Sequence, residues 1–251
     1  MHDQAHLARY EESVPVPVGP TAARPSAAMF RRRSGQPSRR AVLHVQAAGD
    51  PGVPAGLAAW YTERAFHFYQ AGLRLPGQAL VGTRPAARYL KTAFADLDAA
   101  CAHLREADGM ASVIVSAQGR AAIAAALWRD AHGSPVDAMI LLAPQLPVGA
   151  SLTLDVDCPV LVLSDPADEA GAGGAASARR PRVRGAWRQR RTGPAGRPAL
   201  TLGGHVTWLR LPAPTGDGGG HEACADSRQL FDELGRWLGA YMYGSVRDQL
   251  L

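Results

Sequence analysis

Lysine is almost absent from this chain: Lys91 is the one lysine among 27 basic residues. Arginine in its place, with many Ala, Gly and Pro, looks like coding in a GC-rich genome. A sequence pI near 9.5 is therefore weak evidence for a nucleic-acid partner. Also missing is any apolar run near the ~20 residues of a membrane helix, so no membrane span is expected. The N-terminal stretch 1–6 is polar and leads into no apolar core, so no signal peptide is expected. Cysteine is scarce. Cys101, Cys158 and Cys224 are odd in number and far apart, which argues against a disulfide framework and points to the cytoplasm. Acidic residues are absent between Glu169 and Asp217, an interval that holds nine arginines.

What is present suits a globular fold. A length of 251 residues, 47% of them apolar, fits one domain over 1–251 with a sizeable core. Segments 14–18 and 27–33 read as two strands joined by a Pro/Gly turn. Further strands are expected at 41–45, 66–71, 113–115, 136–142, 159–163 and 206–211. Helices are expected at 55–64, 89–106, 120–132 and 227–243. In the second of these, Leu90, Phe94, Leu97, Cys101 and Leu104 recur at helical spacing, and Asp108-Gly109 supplies the stop. Apolar strands alternating with helices imply right-handed crossovers and a mostly parallel sheet.

Segment 169–198 breaks this rhythm. Val183 and Trp187 are its only large apolar side chains, too few to offset the entropy of ordering it, so a flexible excursion is expected. Trp187 alone gives bases little to stack on, so nucleic-acid binding is not expected. Gly171-Ala172-Gly173-Gly174-Ala175-Ala176 formally matches G-x-G-x-x-A. It starts well after the preceding strand and lacks the acid ~20 residues on that a dinucleotide site asks for, so no cofactor is expected. His205, His221 and Cys224 show no metal-ligand spacing, so no metal is expected either.

Seven fragments in order carry a family resemblance. The run 41–47 is an apolar strand, and 61–69 is a helix end entering a strand. Leu73-Arg74-Leu75-Pro76-Gly77 matches a "DLRGxG" turn with Gly72 for its aspartate. Asp96-Leu97-Asp98 and Asp108-Gly109 fit the helix before a strand–elbow–helix unit at 112–122. Residues 136–144 give the next strand, ending in Pro144. The run 158–168 matches "xPVLVLHGxxD", and Gly220-His221-Glu222 matches "GxHE". Together they resemble the α/β hydrolases, in particular the lysophospholipase-like, serine-aminopeptidase-like branch.

The resemblance implies a mostly parallel central sheet flanked by helices. The cap domain would be reduced or absent, because only a short loop fits between Pro144 and Pro159. It also implies an acid at Asp168, a base at His221, and oxyanion-type backbone groups at Ala48 and Arg120. The family's G-x-S-x-G elbow falls on Ala117-Gln118-Gly119-Arg120-Ala121, so the nucleophile position is Gly119. The His-Gly of the oxyanion loop is replaced by Gln46-Ala47.

Acyl transfer needs an oxygen or sulfur nucleophile, and glycine offers neither. Ser116 is three residues earlier at the expected strand end, but its flanks Ile114 and Gln118 give no steric relief for an elbow. Ser112 falls at the strand's start, on the opposite edge of the sheet. Cys224 is close to His221 in sequence, yet reads better as a small apolar loop residue. Three functions follow. One is a catalytically impaired pseudo-hydrolase that binds or scaffolds, with a small apolar or ester-like ligand. Another is an active esterase or lysophospholipase with its nucleophile elsewhere. The last is a non-covalent lyase or cyclase working through Asp168 and His221.

Overall fold

The computed structural model describes residues 12–16, 27–47, 53–54, 56–75, 87–132, 136–145, 151–164, 199–203, 206–210 and 227–248. Its elements are β1 (Glu12–Val16), β2 (Ala27–Arg32), β3 (Arg40–Ala47), α1 (Leu57–Glu63), β4 (His67–Leu73), α2 (Ala87–Ala102), β5 (Ser112–Gln118) and α3 (Arg120–His132). Then follow β6 (Ala138–Leu142), β7 (Ser151–Asp155), β8 (Val160–Ser164), β9 (Ala199–Gly203), β10 (Val206–Arg210) and α4 (Ser227–Asp248).

Eight strands form one sheet in the order β1-β2-β4-β3-β5-β6-β8-β10. The pairs from β4 through β10 are parallel, and β1 and β2 join that edge antiparallel. Strands β3, β5, β6 and β8 are near-continuous apolar runs because both of their faces are covered. One face carries Leu43, Val45, Val113, Val115, Met139 and Val162, under α2 and α3. The other carries Val42, Phe68, Ile114, Ile140 and Leu161, under α1 and α4.

Helix α3 reaches the sheet through small side chains. Ala121, Ala122, Ile123, Ala124, Ala125 and Ala126 are all wholly buried, so the backbone lies close to the strands. Trp128 closes the far end of this row, its indole N–H donating to Asp98 at 2.8 Å. On the other face, Leu230, Leu234 and Leu238 of α4 recur every four residues and are buried. Tyr241 ties the same helix down by donating to the Asp137 carbonyl at 3.0 Å.

The helix expected at 89–106 ends earlier. After Ala102 the chain widens into a π-turn, His103–Ala107. Arg105 reaches the Asp137 carboxylate at 2.7 Å, and Asp108 takes hydrogen bonds from Arg31 at 3.0 Å and Tyr69 at 2.7 Å. These tertiary bonds draw the last turn onto the sheet edge, and Gly109 at φ +66° then reverses the chain.

The interval between Pro144 and Pro159 is more than the loop expected there. It contains β7, which pairs in parallel with β9 from Ser151↔Ala199 to Asp155↔Gly203. Leu154 and Leu202 bury the pair's inner side. The Asp155 amide donates to Asp130 at 2.8 Å, and Arg129 pairs with Asp157 at 2.6 Å. The alternating run Ser-Leu-Thr-Leu-Asp becomes a strand because α3 offers it anchors.

The tight seat of α3 predicts intolerance of bulk. Ala124→Leu should lower the unfolding free energy by roughly 1–3 kcal/mol with little change in the denaturant slope, as measured by urea denaturation.

Candidate functional site

Strand β5 ends at Gln118, and α3 begins at Arg120, so a single residue makes the turn between them. That residue is Gly119, buried, with φ +60°. A left-handed backbone is strained for an L-residue and open to glycine. The turn is clamped from the neighbouring strand. The Gly119 amide donates to the Leu142 carbonyl at 2.9 Å, and its own carbonyl accepts from the Gln145 amide at 3.1 Å. Ala143, between those two partners, also holds a positive φ, +43°, and its amide donates to Leu163 at 2.7 Å. The carboxyl ends of β5, β6 and β8 are thus stitched together around the elbow. In open α/β sheets, such strand ends are where ligands bind.

Gly119 and Arg120 occupy the elbow that the sequence places there. Ala48, Asp168, His205, His221 and Cys224 lie outside the described residues. Ser112 opens β5, about 20 Å from the elbow at the rise of an extended strand. Ser116 does not sit at a strand end. β5 continues two residues past it, and its side chain is buried inside the sheet layer.

Residue-level reading of the sequence missed His44 as the partner of Ser116. The two are opposite each other in the β3–β5 register, and His44 Nδ1 lies 3.1 Å from Ser116 Oγ. Both are 0% exposed. Burial lowers the His44 pKa to about 4, so the imidazole is neutral at physiological pH. Its ring stacks on Phe68 with centroids 6.0 Å apart, and Phe68 stacks in turn on Tyr61 at 5.8 Å. A polar histidine within the apolar run 41–45 was the available signal. Its partner became visible only with the strand register.

Two residues nearer the carboxyl ends stand Gln46 and Gln118. His44 Nε2, Gln46 Oε1 and Gln118 Oε1 are buried and have no hydrogen-bond partner among the described residues. The sheet face therefore carries a polar row beneath the elbow, which buried Gln70, in register with His44 on β4, extends sideways.

The two described thiols offer no reactive centre. Cys101 and Cys158 are free and buried. Burial pushes the Cys101 thiol up to about 12 and raises that of Cys158 too, which holds both in the protonated form. Among the described residues no cluster of three His, Cys, Asp or Glu could hold a metal ion. Nor is any described helix long and apolar enough to cross a membrane.

No protein-family model matches the sequence, and no curated protein matches it. Solved structures do match the fold. Est1E from Butyrivibrio proteoclasticus aligns with a TM-score of 0.52 and 9% identity, over 86% of this chain and 95% of that one. A carboxylesterase from Mesorhizobium loti aligns at 0.51 and 16% identity, over 87% and 99%. A thermophilic esterase from Thermogutta terrifontis, solved with malate bound, aligns at 0.51 and 13% identity, over 92% and 99%. With the strand order above, these likenesses give the chain an α/β-hydrolase fold.

Neutral, buried His44 makes stability depend on pH. The unfolded imidazole titrates near 6.5 and the folded one near 4, so the unfolded state takes up the proton first. The stabilisation is whole above about pH 6.5 and is lost as pH falls toward 4, by on the order of 3 kcal/mol in total. Urea denaturation between pH 7 and 4 should show this loss, and His44→Met should flatten it.

Proposed function

We propose that this protein is a catalytically impaired pseudo-hydrolase that uses the α/β-hydrolase fold to bind a small ligand. The reading rests on Gly119. It is the only residue between β5 and α3, it holds φ +60°, and it has no side chain. In hydrolases of this fold that turn carries the serine, held in a strained backbone so that its hydroxyl stands clear of the sheet. Glycine at the turn relaxes the backbone and removes the attacking atom together. In a comparable triad, loss of the nucleophile lowers turnover about a millionfold.

The proposed base and acid, His221 and Asp168, would then orient a ligand or survive as a polar pair with no proton to relay from the elbow. Backbone N–H groups at Ala48 and Arg120 would supply the oxyanion-type donors. A binding role asks less of these groups than catalysis does, because no charge has to develop and be stabilised during a reaction.

One observation favours an active hydrolase instead: Ser116 and His44 are within hydrogen-bond reach, as a nucleophile and its base would be. Two facts weigh against it. Neither side chain has solvent access, so a carbonyl carbon cannot approach Ser116 Oγ. An imidazole whose pKa has fallen to about 4 is also a poor acceptor for a serine proton near neutral pH.

Fluorophosphonate labelling of the full chain separates the readings. The wild-type protein should remain unlabelled and should hydrolyse p-nitrophenyl acetate no faster than buffer. Gly119→Ser should become labelled, and it should lose about 1 kcal/mol of stability because serine is strained at this φ. Labelling of the wild-type chain that disappears in Ser116→Ala would replace this reading with the hydrolase one.

A further inference from the structure

We propose that His67 is a proton-operated latch on the loop 33–39, closed by the neutral imidazole and loosened when the ring takes a second proton. The device sits at the amino ends of the parallel strands, opposite the elbow, and does not depend on the binding reading.

Placement is the first argument. β2 ends at Arg32 and β3 begins at Arg40, so 33–39 joins an antiparallel strand to a parallel one. Ser34 and Ser38 form the neck of this loop. The Ser34 hydroxyl donates to the Thr62 carbonyl at 2.9 Å, and the Ser38 hydroxyl donates to the Ala65 carbonyl at 2.5 Å. Both serines are thereby held against the end of α1 and the turn after it. Between them Gly35, Gln36 and Pro37 stand exposed. His67, the first residue of β4, crosses the neck. Its Nδ1 lies 3.2 Å from the Ser34 amide nitrogen, and its Nε2 lies 3.0 Å from the Ser38 carbonyl oxygen.

These two partners fix the state of the ring. A backbone N–H only donates and a carbonyl oxygen only accepts. Nδ1 must therefore present its lone pair to Ser34, and Nε2 must carry the hydrogen that goes to Ser38. The ring that closes the neck is neutral. A second proton has only Nδ1 to go to, where it faces the Ser34 N–H. One hydrogen bond is lost and two donors meet, while the bond to Ser38 remains. Protonation thus cuts one of two ties. Histidine is the side chain that changes charge between about pH 5 and 8. His67 is half-buried, unlike sealed His44, so a proton reaches it in the folded chain.

The surrounding charges do not close the latch again. Arg33 and Arg39 are on the loop itself, Arg40 opens β3, and Glu63 and Arg64 end α1. Arg39 Nε donates to the Gly109 carbonyl at 2.9 Å. The Arg40 guanidinium lies over the Phe66 ring, and that of Arg64 over Trp60. Two residues along the same face of β4, Tyr69 donates to Asp108, which also accepts from Arg31 and has His103 3.7 Å away. Among the described residues the hydrogen bonds of the His67 ring go to the two backbone groups of the neck. No carboxylate there converts the charged ring into an ion pair.

The test uses the full chain labelled with ¹⁵N. Long-range ¹H–¹⁵N spectra at neutral pH should show the His67 hydrogen on Nε2. Exchange protection of the Ser34 amide, taken relative to an unstructured chain at each pH, should fall about fivefold between about pH 7.5 and 5.5, the worth of one net hydrogen bond. Gln36, whose amide donates to Ser34 Oγ at 3.1 Å, should lose protection with it. His67→Gln keeps one acceptor and one donor on its amide but takes no proton, so its Ser34 protection should stay level over the same range. That variant retains His44, so the comparison cancels the acid loss that His44 brings to the whole fold. The tautomer and the wild-type titration need no variant and decide the matter if His67→Gln folds poorly. A hydrogen on Nδ1 overturns the proposal, as does Ser34 protection that acid leaves unchanged or that His67→Gln loses equally.

Discussion

The left-handed turn at Gly119 is the constraint on which the rest of the site depends. A strand buried on both faces must hand over to a helix within one residue, and φ +60° achieves this. The turn is fixed by two backbone hydrogen bonds to the end of β6, not by any side chain of its own. The sharp strand-to-helix turn is therefore set by the backbone alone. Backbone geometry and side-chain chemistry are separable at this position, so the fold alone does not fix the chemistry done there.

The second constraint is the row of polar side chains inside the sheet layer. Parallel sheets with helices on both faces ordinarily bury Val, Ile and Leu there, as most of β3, β5, β6 and β8 do. His44 departs from that pattern and is tolerated because it is neutral and meets Ser116. Among the described residues, the side-chain oxygens of Gln46 and Gln118 above it meet no hydrogen-bond donor.

Elements governed by local rules were legible in the chain. Arg120–His132 was read to the residue, because its alanine-rich run has strong helix propensity and an elbow in front of it. The strands of the parallel sheet were found with displaced bounds: β3 and β5 were drawn short, β6 and β10 long. β5 was expected to stop at Val115 and runs on to Gln118, since Ser116 and Gln118 look like strand-ending residues until a neighbouring strand pairs with them. The π-turn after Ala102 and the β7–β9 pair were not seen. Both depend on anchors remote in sequence, Asp137 and Arg31 for the first, Asp130 and the α3 surface for the second.

The sequence by itself determined the class of fold, the position of the elbow and the absence of a side chain there. Apolar periodicity and glycine placement are local properties, and a missing hydroxyl can be read from one letter. Tertiary structure alone decided that Ser116 faces His44, that both are sealed from solvent, and that Gln46 and Gln118 share their face. Strand register pairs residues more than seventy positions apart, and burial belongs to the layers packed around a side chain, so neither has a signature in the chain order.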